Sequence, residues 1–348
     1  MIKSGEIRKF FRNKKILITG GSGSIGKEIA KEILKYDPKV IRLFDSNENG
    51  LFKLQEYFSN DERLRFLLGD IRDKERVIRA MQNIDYVFHT AALKHVLVCE
   101  YNPFEAVKTN VIGTQNIIDS AIECNVDKVI FTSSDKAVNP SNTMGASKLL
   151  AEKLMVAANF YRGPKAKTKF SCVRFGNILG SSGSVLPLFK EQIKKGGPIT
   201  VTHKDMNRFI LTKKRALDFL LKSMILARGG EIFVPKMPVV RVMDLVEVLL
   251  EEYVPKVGQN PEKIKIEFIG IKSGEKLYEE LMTEDEASRC ILIDWIYAIL
   301  PQFKEFSHLN PLLYPNAKFF DNEKLKSKDY RPISKDELRK ILIENKLI

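Results

Sequence analysis

Through the first half of the chain, short runs of β-branched and aromatic residues alternate with longer segments whose apolar positions recur every three or four residues. The runs KILIT (15–19), KVIRLF (39–44), LRFLL (64–68), DYVFH (85–89), KVIFT (128–132) and KFSCVRF (169–175) have the length and continuous hydrophobicity of buried strands. Between them, segments such as KEIAKEILKY and TNVIGTQNIIDSAIEC carry the period of amphipathic helices. This alternation predicts an α/β fold, a Rossmann-type doubly wound parallel sheet with right-handed crossovers and helices on both faces. Ligands of such sheets gather beyond the carboxyl ends of the strands.

After residue 175 the texture changes. GNILGSSGSVLPLF and KKGGPITVTHKDM are rich in Gly, Ser and Pro and read as loops around a smaller region. Helix RALDFLLKSMILA (215–227) and strand EIFVP (231–235) are expected to return to the main sheet. Residues 241–348 are expected to carry helices and one further strand, IKIEFIG (264–270). The expected division is a dinucleotide-binding domain over 1–175, rejoined by 205–237, and a smaller C-terminal substrate-binding region over 176–204 and 238–348. There is no internal repeat and no low-complexity linker.

Composition narrows the function. The chain has 348 residues, 44% hydrophobic and 29% charged, with a formal net charge of +13. Its lysines are scattered beside glutamates on amphipathic helices, which describes solvated faces rather than a binding stripe. With no aromatic RNA-binding motif, helix-turn-helix or zinc-finger pattern, no nucleic-acid partner is expected. The four cysteines form no C-x-x-C pair and no histidines share ligand spacing, so no metal is expected and a reducing cytoplasm fits. MIKSGEIRKFFRNKK lacks the apolar core of a signal peptide, and CILIDWIYAIL is short and interrupted by Asp294, so no membrane insertion is expected.

The candidate chemistry falls at strand ends. ITGGSGSIGKEI follows the first strand, and Gly20, Gly23 and Gly26 let backbone approach a pyrophosphate while Ser24 and Ile25 open a helix aimed at it. Asp45, closing the second strand, suits hydrogen bonds to an adenosine ribose diol and would repel a 2′-phosphate. NAD is therefore expected, with NADP possible. After the third strand, Asp70 and Ile71 either border the adenine or, in the case of Asp70, cap a helix. Ala91 and Ala92 after the fourth strand leave room for a dinucleotide, and Lys94 and His95 can reach phosphate or substrate.

SSDKAVNPSNTMGASK follows the fifth strand. It brings Ser134, Asp135 and Lys136 to the strand tip and sets Met144 one helical turn from Lys148 on the same helix face. A thioether neither donates nor accepts a proton usefully, which makes methionine odd in acid–base surroundings. The constellation resembles the extended short-chain dehydrogenase/reductases, whose site is a Ser/Thr with a Tyr-x-x-x-Lys pair. AALKHV, CEYNPFEAVKTNVIGTQN, VRFGNILGSSGSVLPLF and GGPITVTHKDMNRF extend the resemblance to one branch, the UDP-N-acetylglucosamine 4,6-dehydratases of polysaccharide biosynthesis, over roughly residues 13–300. Met144 departs from the superfamily pattern but not from that branch, which has tyrosine in some members and methionine in others. The methionine form is similar to large membrane-anchored dehydratases, and this chain looks like a freestanding catalytic domain.

The resemblance implies an internal redox dehydration. Hydride leaves sugar carbon 4 for the nicotinamide, water is lost across carbons 5 and 6, and hydride returns to carbon 6. Lys136 is the expected base, a role that requires its surroundings to lower its pKa, and Asp135 the expected acid. Lys148 and Asn110 are placed at the cofactor. Lys94, His95, Asn177, Arg208 and Glu275 are placed at the UDP-sugar, with Arg208 on the diphosphate and Glu275 on the uridine ribose. A homo-oligomer is expected through CEYNPFEAVKTNVIGTQN and the helix at KLLAEKLMVAANFY. The alternatives are a UDP-sugar epimerase of the same superfamily and a non-catalytic dinucleotide-binding regulator.

Overall fold

The computed structural model describes residues 2–59, 61–163, 166–181, 183–302, 313–314, 316–320 and 325–348. The expected parallel strands form: β1 (Lys15–Thr19), β2 (Val40–Asp45), β3 (Leu64–Leu68), β4 (Tyr86–His89), β5 (Lys128–Ser134) and β6 (Lys169–Phe175). They lie in the order β3-β2-β1-β4-β5-β6, so the chain reverses direction across the sheet between β1 and β4. That reversal opens a crevice at the carboxyl ends, where ligands of such sheets bind. β5 runs on through Ser133 and Ser134, which pair with Arg174 and Phe175, so Ser134 is held in the ladder rather than in a loose loop.

The smaller region is built on β7 (Asn177–Ile178), β8 (Ile199–Val201), β9 (Asn207–Leu211), β11 (Val239–Arg241) and β12 (Ile266–Phe268). They form one sheet in the order β11-β9-β7 and a two-stranded pair, β8 with β12. Between β9 and β11, β10 (Ile232–Pro235) returns to the main sheet parallel to β6, as expected. Residues 207–211 do not accompany it; they stay in the small sheet.

The larger correction concerns the C-terminal third. CILIDWIYAIL folds as a hairpin of β13 (Cys290–Ile293) and β14 (Ile296–Ile299), and β14 pairs antiparallel with β10. With β15 (Ala317–Phe319) beside β13, the main sheet reaches ten strands among the described residues. Residues 290–299 and 317–319 therefore leave the smaller region, and more than one strand follows residue 241. The apolar run is continuous because both hairpin strands are buried. Asp294 interrupts it at the turn, with a φ of 56° that short polar residues tolerate.

Helices Lys74–Met81, Gly113–Glu123 and Thr143–Tyr161 pack together on one face of the sheet, and Ser24–Ile33 with Lys213–Leu226 on the other. A second apolar cluster, including Leu186, Phe189, Val246, Leu249 and Leu342, fills the smaller region. A charged cluster crosses the main core. The buried Arg174 guanidinium on β6 binds Glu152 on helix Thr143–Tyr161 at 2.7 Å and Glu286 on helix Glu284–Ser288 at 2.8 Å. This ties the chain following the smaller region to the helix that carries Met144 and Lys148.

Candidate active site

A cavity of about 980 Å³ runs along the carboxyl ends of the parallel strands. Of the residues expected at the cofactor, Gly20, Gly23, Ser24, Ile25, Asp45, Asp70, Ile71, Ala91, Ala92, Lys94 and Lys148 line it. Gly20 has φ +67°, and a Cβ there would lie 2.8 Å from the Ala91 nitrogen. A Cβ on Gly26 would come within 2.3 Å of the Gly20 carbonyl. The two glycines thus allow a strand–helix turn too tight for side chains, and helix Ser24–Ile33 begins at the cavity wall, the end of a helix that favours an anion. Gly26 supports this turn from beneath rather than lining the space.

Asp45 accepts hydrogen bonds from Ser22 N at 2.9 Å, Ser22 Oγ at 2.7 Å and Asn47 N at 3.0 Å, which fixes a carboxylate at the tip of β2. Asp70 pairs with Arg72 at 2.6 Å, while the helix after it is capped by Asp73. Asn110 is the exception. Buried within the wide π-turn Val107–Ile112, it accepts from Leu93 N and donates to Leu93 O and Ser147 Oγ, all at 2.8–2.9 Å. It clamps the Ala91–Leu93 loop to the helix behind it and lies off the cavity wall, contrary to the expected contact with the cofactor.

Ser134 and Lys136 line the cavity where it meets a second one of about 510 Å³. His95, Asn177, Arg208 and Glu275 border the second cavity, so the structure brings the expected substrate residues together. Arg208 donates to the carbonyls of Asn207, Lys276 and Leu277 and stands 3.5 Å from Glu275, which fixes the guanidinium against the segment 275–277. Lys94 remains on the cofactor side.

At the junction, Ser134 Oγ donates to Asp135 Oδ1 at 2.9 Å and Lys136 Nζ lies 3.1 Å from the same oxygen. Asp135 is buried and lines neither cavity. Lys136 also contacts Glu279 Oε1 at 3.2 Å, and Glu279 borders the second cavity. Burial works against the Lys136 charge, but the Asp135 and Glu279 carboxylates outweigh it and raise its pKa above the ordinary lysine value. The lowering that a base role requires does not occur, because the carboxylates that oppose it come partly from a distant segment.

Lys148 Nζ donates to the Thr132 carbonyl at 2.8 Å and stands over the Phe131 ring; burial lowers its pKa to about 8. His89, beneath it, is enclosed between Thr19 and Thr114 as a core residue. Met144 packs with Cys99 and Ala106 and faces the cofactor cavity. Asn142 caps this helix through Gly145 N at 2.7 Å.

Two residues at this junction escaped sequence reasoning. Glu279 lies in SGEKLYEEL, where one glutamate among several carries no local mark. Gly145, inside MGASK, could have been flagged as a helical glycine needing a packing reason.

The fold and site define a Rossmann-type α/β protein of the short-chain dehydrogenase/reductase kind. The chain belongs to the polysaccharide biosynthesis protein family, whose model matches residues 16–301. It is 55% identical over 323 residues to a protein of Methanocaldococcus jannaschii named as an uncharacterized membrane protein, covering 92% of this chain and 96% of that one. No helix among the described residues is long and apolar enough to cross a membrane. A Campylobacter jejuni protein named UDP-N-acetylglucosamine 4,6-dehydratase (inverting) is 42% identical over 296 residues, covering 84% of this chain and 85% of its own. A less similar Rickettsia akari protein, 36% identical over 337 residues and 96% of each chain, is named UDP-glucose 4-epimerase. Among solved structures, Pen from Bacillus thuringiensis superposes with a TM-score of 0.90 at 47% identity, covering 97% of this chain and all of that one.

Proposed function

We propose that this protein is an NAD-dependent UDP-N-acetylglucosamine 4,6-dehydratase that forms a UDP-4-keto-6-deoxy-N-acetylhexosamine. The observation that carries this reading is Lys136, held as an ammonium between two carboxylates where the cofactor cavity opens into the second one. Dehydration requires proton transfer at adjacent sugar carbons, and Lys136 stands where such groups are needed. The relative named for this activity supports the substrate class.

The glycine turn fits a dinucleotide pyrophosphate, and Asp45 would accept hydrogen bonds from a ribose diol, which supports NAD over its 2′-phosphorylated form. NAD bound there would supply the hydride chemistry of the reaction. Lys148 would hold the nicotinamide ribose and lend positive charge. Arg208 and Glu275 would face the diphosphate and uridine ribose, Arg208 through its planar fork of donors. Asp135 would fix Lys136, and Ser134, which lines the cavity and donates to Asp135, would pass it the proton of the 4-hydroxyl, since Met144 cannot.

Nuclear magnetic resonance of the product formed from UDP-N-acetylglucosamine in deuterated water tests the proposal. A 4-keto sugar with a C6 methyl supports it, and deuterium and coupling at carbon 5 read retention or inversion. A sugar inverted at carbon 4 or 5 with its water retained would establish an epimerase instead. No conversion, with dinucleotide bound, would favour a regulator.

A further inference from the structure

Neither cavity accounts for the net charge of +13, and the fold gathers part of it on one edge. In a parallel sheet every strand begins on the same side, so turns far apart in sequence become neighbours there. Lys15 opens β1, Lys39 precedes β2, and Lys167 and Lys169 lie at the entry to β6. Helix Ser4–Phe11 is tied across the same edge, with Phe10 stacked on Tyr86 of β4 at 4.7 Å and Arg8 paired with Asp37 ahead of β2. Ile7 and Phe11 form its buried side, while Lys9 and the following Arg12 are exposed. Among the described residues neither Arg12 nor any of these lysines has an ion-pair partner. The acidic groups of the edge are largely spent, Asp37 on Arg8, Asp61 on Arg63, and Asp85 and Asp127 on Lys14, which leaves Glu62 and Glu123. The crowding of like charge reaches the layer beneath. Lys128, at the start of β5, donates to the Met224 and Ile225 carbonyls, and burial, followed by the charges of Lys169 and Arg228, lowers its pKa to about 8.

We propose that this edge docks on an anionic membrane surface, with the protein lying peripherally and its catalytic end turned away. The basic turns reach from β6 to β2, four strand spacings or about 19 Å, a breadth that meets many lipid headgroups at once. Nucleic acid fits the edge less well. The rings of Phe10, Phe11, Tyr36 and Tyr86 pack against one another and offer no platform for bases. Helix Ser4–Phe11 is held down at both Arg8 and Phe10 instead of projecting as a helix that enters a groove must. Both cavities lie beyond the opposite, carboxyl ends of the strands, so a docked molecule leaves them open to solution. Docking of this kind needs no spanning helix. Each basic group near an anionic bilayer strengthens binding by about fivefold, and salt weakens it by screening.

Sedimentation with lipid vesicles provides the test. Vesicles of phosphatidylcholine with about 30% phosphatidylserine are expected to carry the protein down at about 50 mM salt and to release it at about 0.5 M, while pure phosphatidylcholine leaves it in solution. Lys9→Glu, Arg12→Glu and Lys39→Glu together are expected to weaken that binding about a hundredfold or more, the product of the three separate factors. Lys194→Glu, Lys256→Glu and Lys263→Glu, made together at exposed positions of the smaller region, change the net charge equally. They are expected to weaken binding by less than about tenfold, because they lie away from the docked edge. Unchanged thermal unfolding of both variants shows that the fold is kept. Equal losses in the two variants would assign the binding to overall charge and overturn the proposal, as would a wild type that stays in solution with the anionic vesicles. A short DNA duplex that displaces the vesicles, and whose binding the first variant loses, would make the edge a nucleic-acid surface and overturn it as well.

Discussion

Gly145 and Lys136 touch so closely that no side chain fits between them: a Cβ on Gly145 would lie 2.2 Å from the Lys136 carbonyl oxygen. The helix that carries Met144 and Lys148 can seat itself on the Lys136 turn only because that position is bare. Gly145→Ala is therefore expected to push helix and turn apart, costing about 1–3 kcal/mol of stability as overpacking does. Turnover should fall further than stability alone predicts, since misplacing reacting groups by an ångström is costly. Chemical denaturation and steady-state rates on one preparation check both; a variant as stable and active as wild type would show that the contact is not needed.

Met144 fills space beside the cofactor cavity and has no proton to give. Met144→Leu, close in volume, should keep substantial turnover. Lys136→Met and Asp135→Asn should each lose about a hundredfold or more, the first by removing the proton-transfer group and the second by releasing it. Absorbance in the reduced-nicotinamide band under single-turnover conditions should show reduced cofactor accumulating in the Lys136 variant. Full activity in both charge variants with an inactive Met144→Leu would make the thioether the essential group.

Asp45 stands fixed by Ser22 and Asn47 at the tip of β2. Asp45→Ala should relax the preference for NAD over its 2′-phosphorylated form while leaving the fold intact, as measured by calorimetric titration of both dinucleotides. Tighter binding of the phosphorylated form by the wild type would refute the role.

Lys148 gives the unliganded protein a signature in pH. Its folded pKa, about 8, lies below the ordinary value of 10.5 because of burial. Between those values the unfolded chain binds the extra proton, so stability rises with pH through that window. Below about pH 8 both states are protonated and the penalty is complete, about 3 kcal/mol as an upper bound from the size of the shift. Lys148→Met should therefore stabilise the protein more at pH 7 than at pH 10. Equal effects at both pH values would mean that the amine titrates normally.

The surface predicts self-association. Tyr101 is 91% and Phe104 63% exposed, and Ile112, Leu150 and Tyr161 also lie open on the two helical stretches expected to meet a second copy. Exposed aromatic and aliphatic groups on neighbouring elements mark interaction sites. Light scattering at micromolar concentration should report a homodimer or larger closed oligomer, and Phe104→Glu should weaken it. A clean wild-type monomer would end the idea.

Much of this protein is decided locally. Six parallel strands, the glycine turn, Asp45 and the Ser134–Lys136 tip were legible because burial on both faces leaves continuous apolar runs, and in a parallel sheet the residues that follow such runs necessarily share one edge. The same logic located Met144 and Lys148 by helical spacing. What required the tertiary structure was every relation between distant segments. CILIDWIYAIL could be read as one run until β10 was seen beside it. Asn110 has the residue type of a ligand contact, but three hydrogen bonds to Leu93 and Ser147 use its amide. The protonation of Lys136 depends on Glu279, and that contact exists only because β9 and the segment after β12 fold back over the end of β5. Charge–charge energies follow distance in space and local burial rather than order along the chain, so a sequence can name the lysine but only the folded protein sets which way its proton moves.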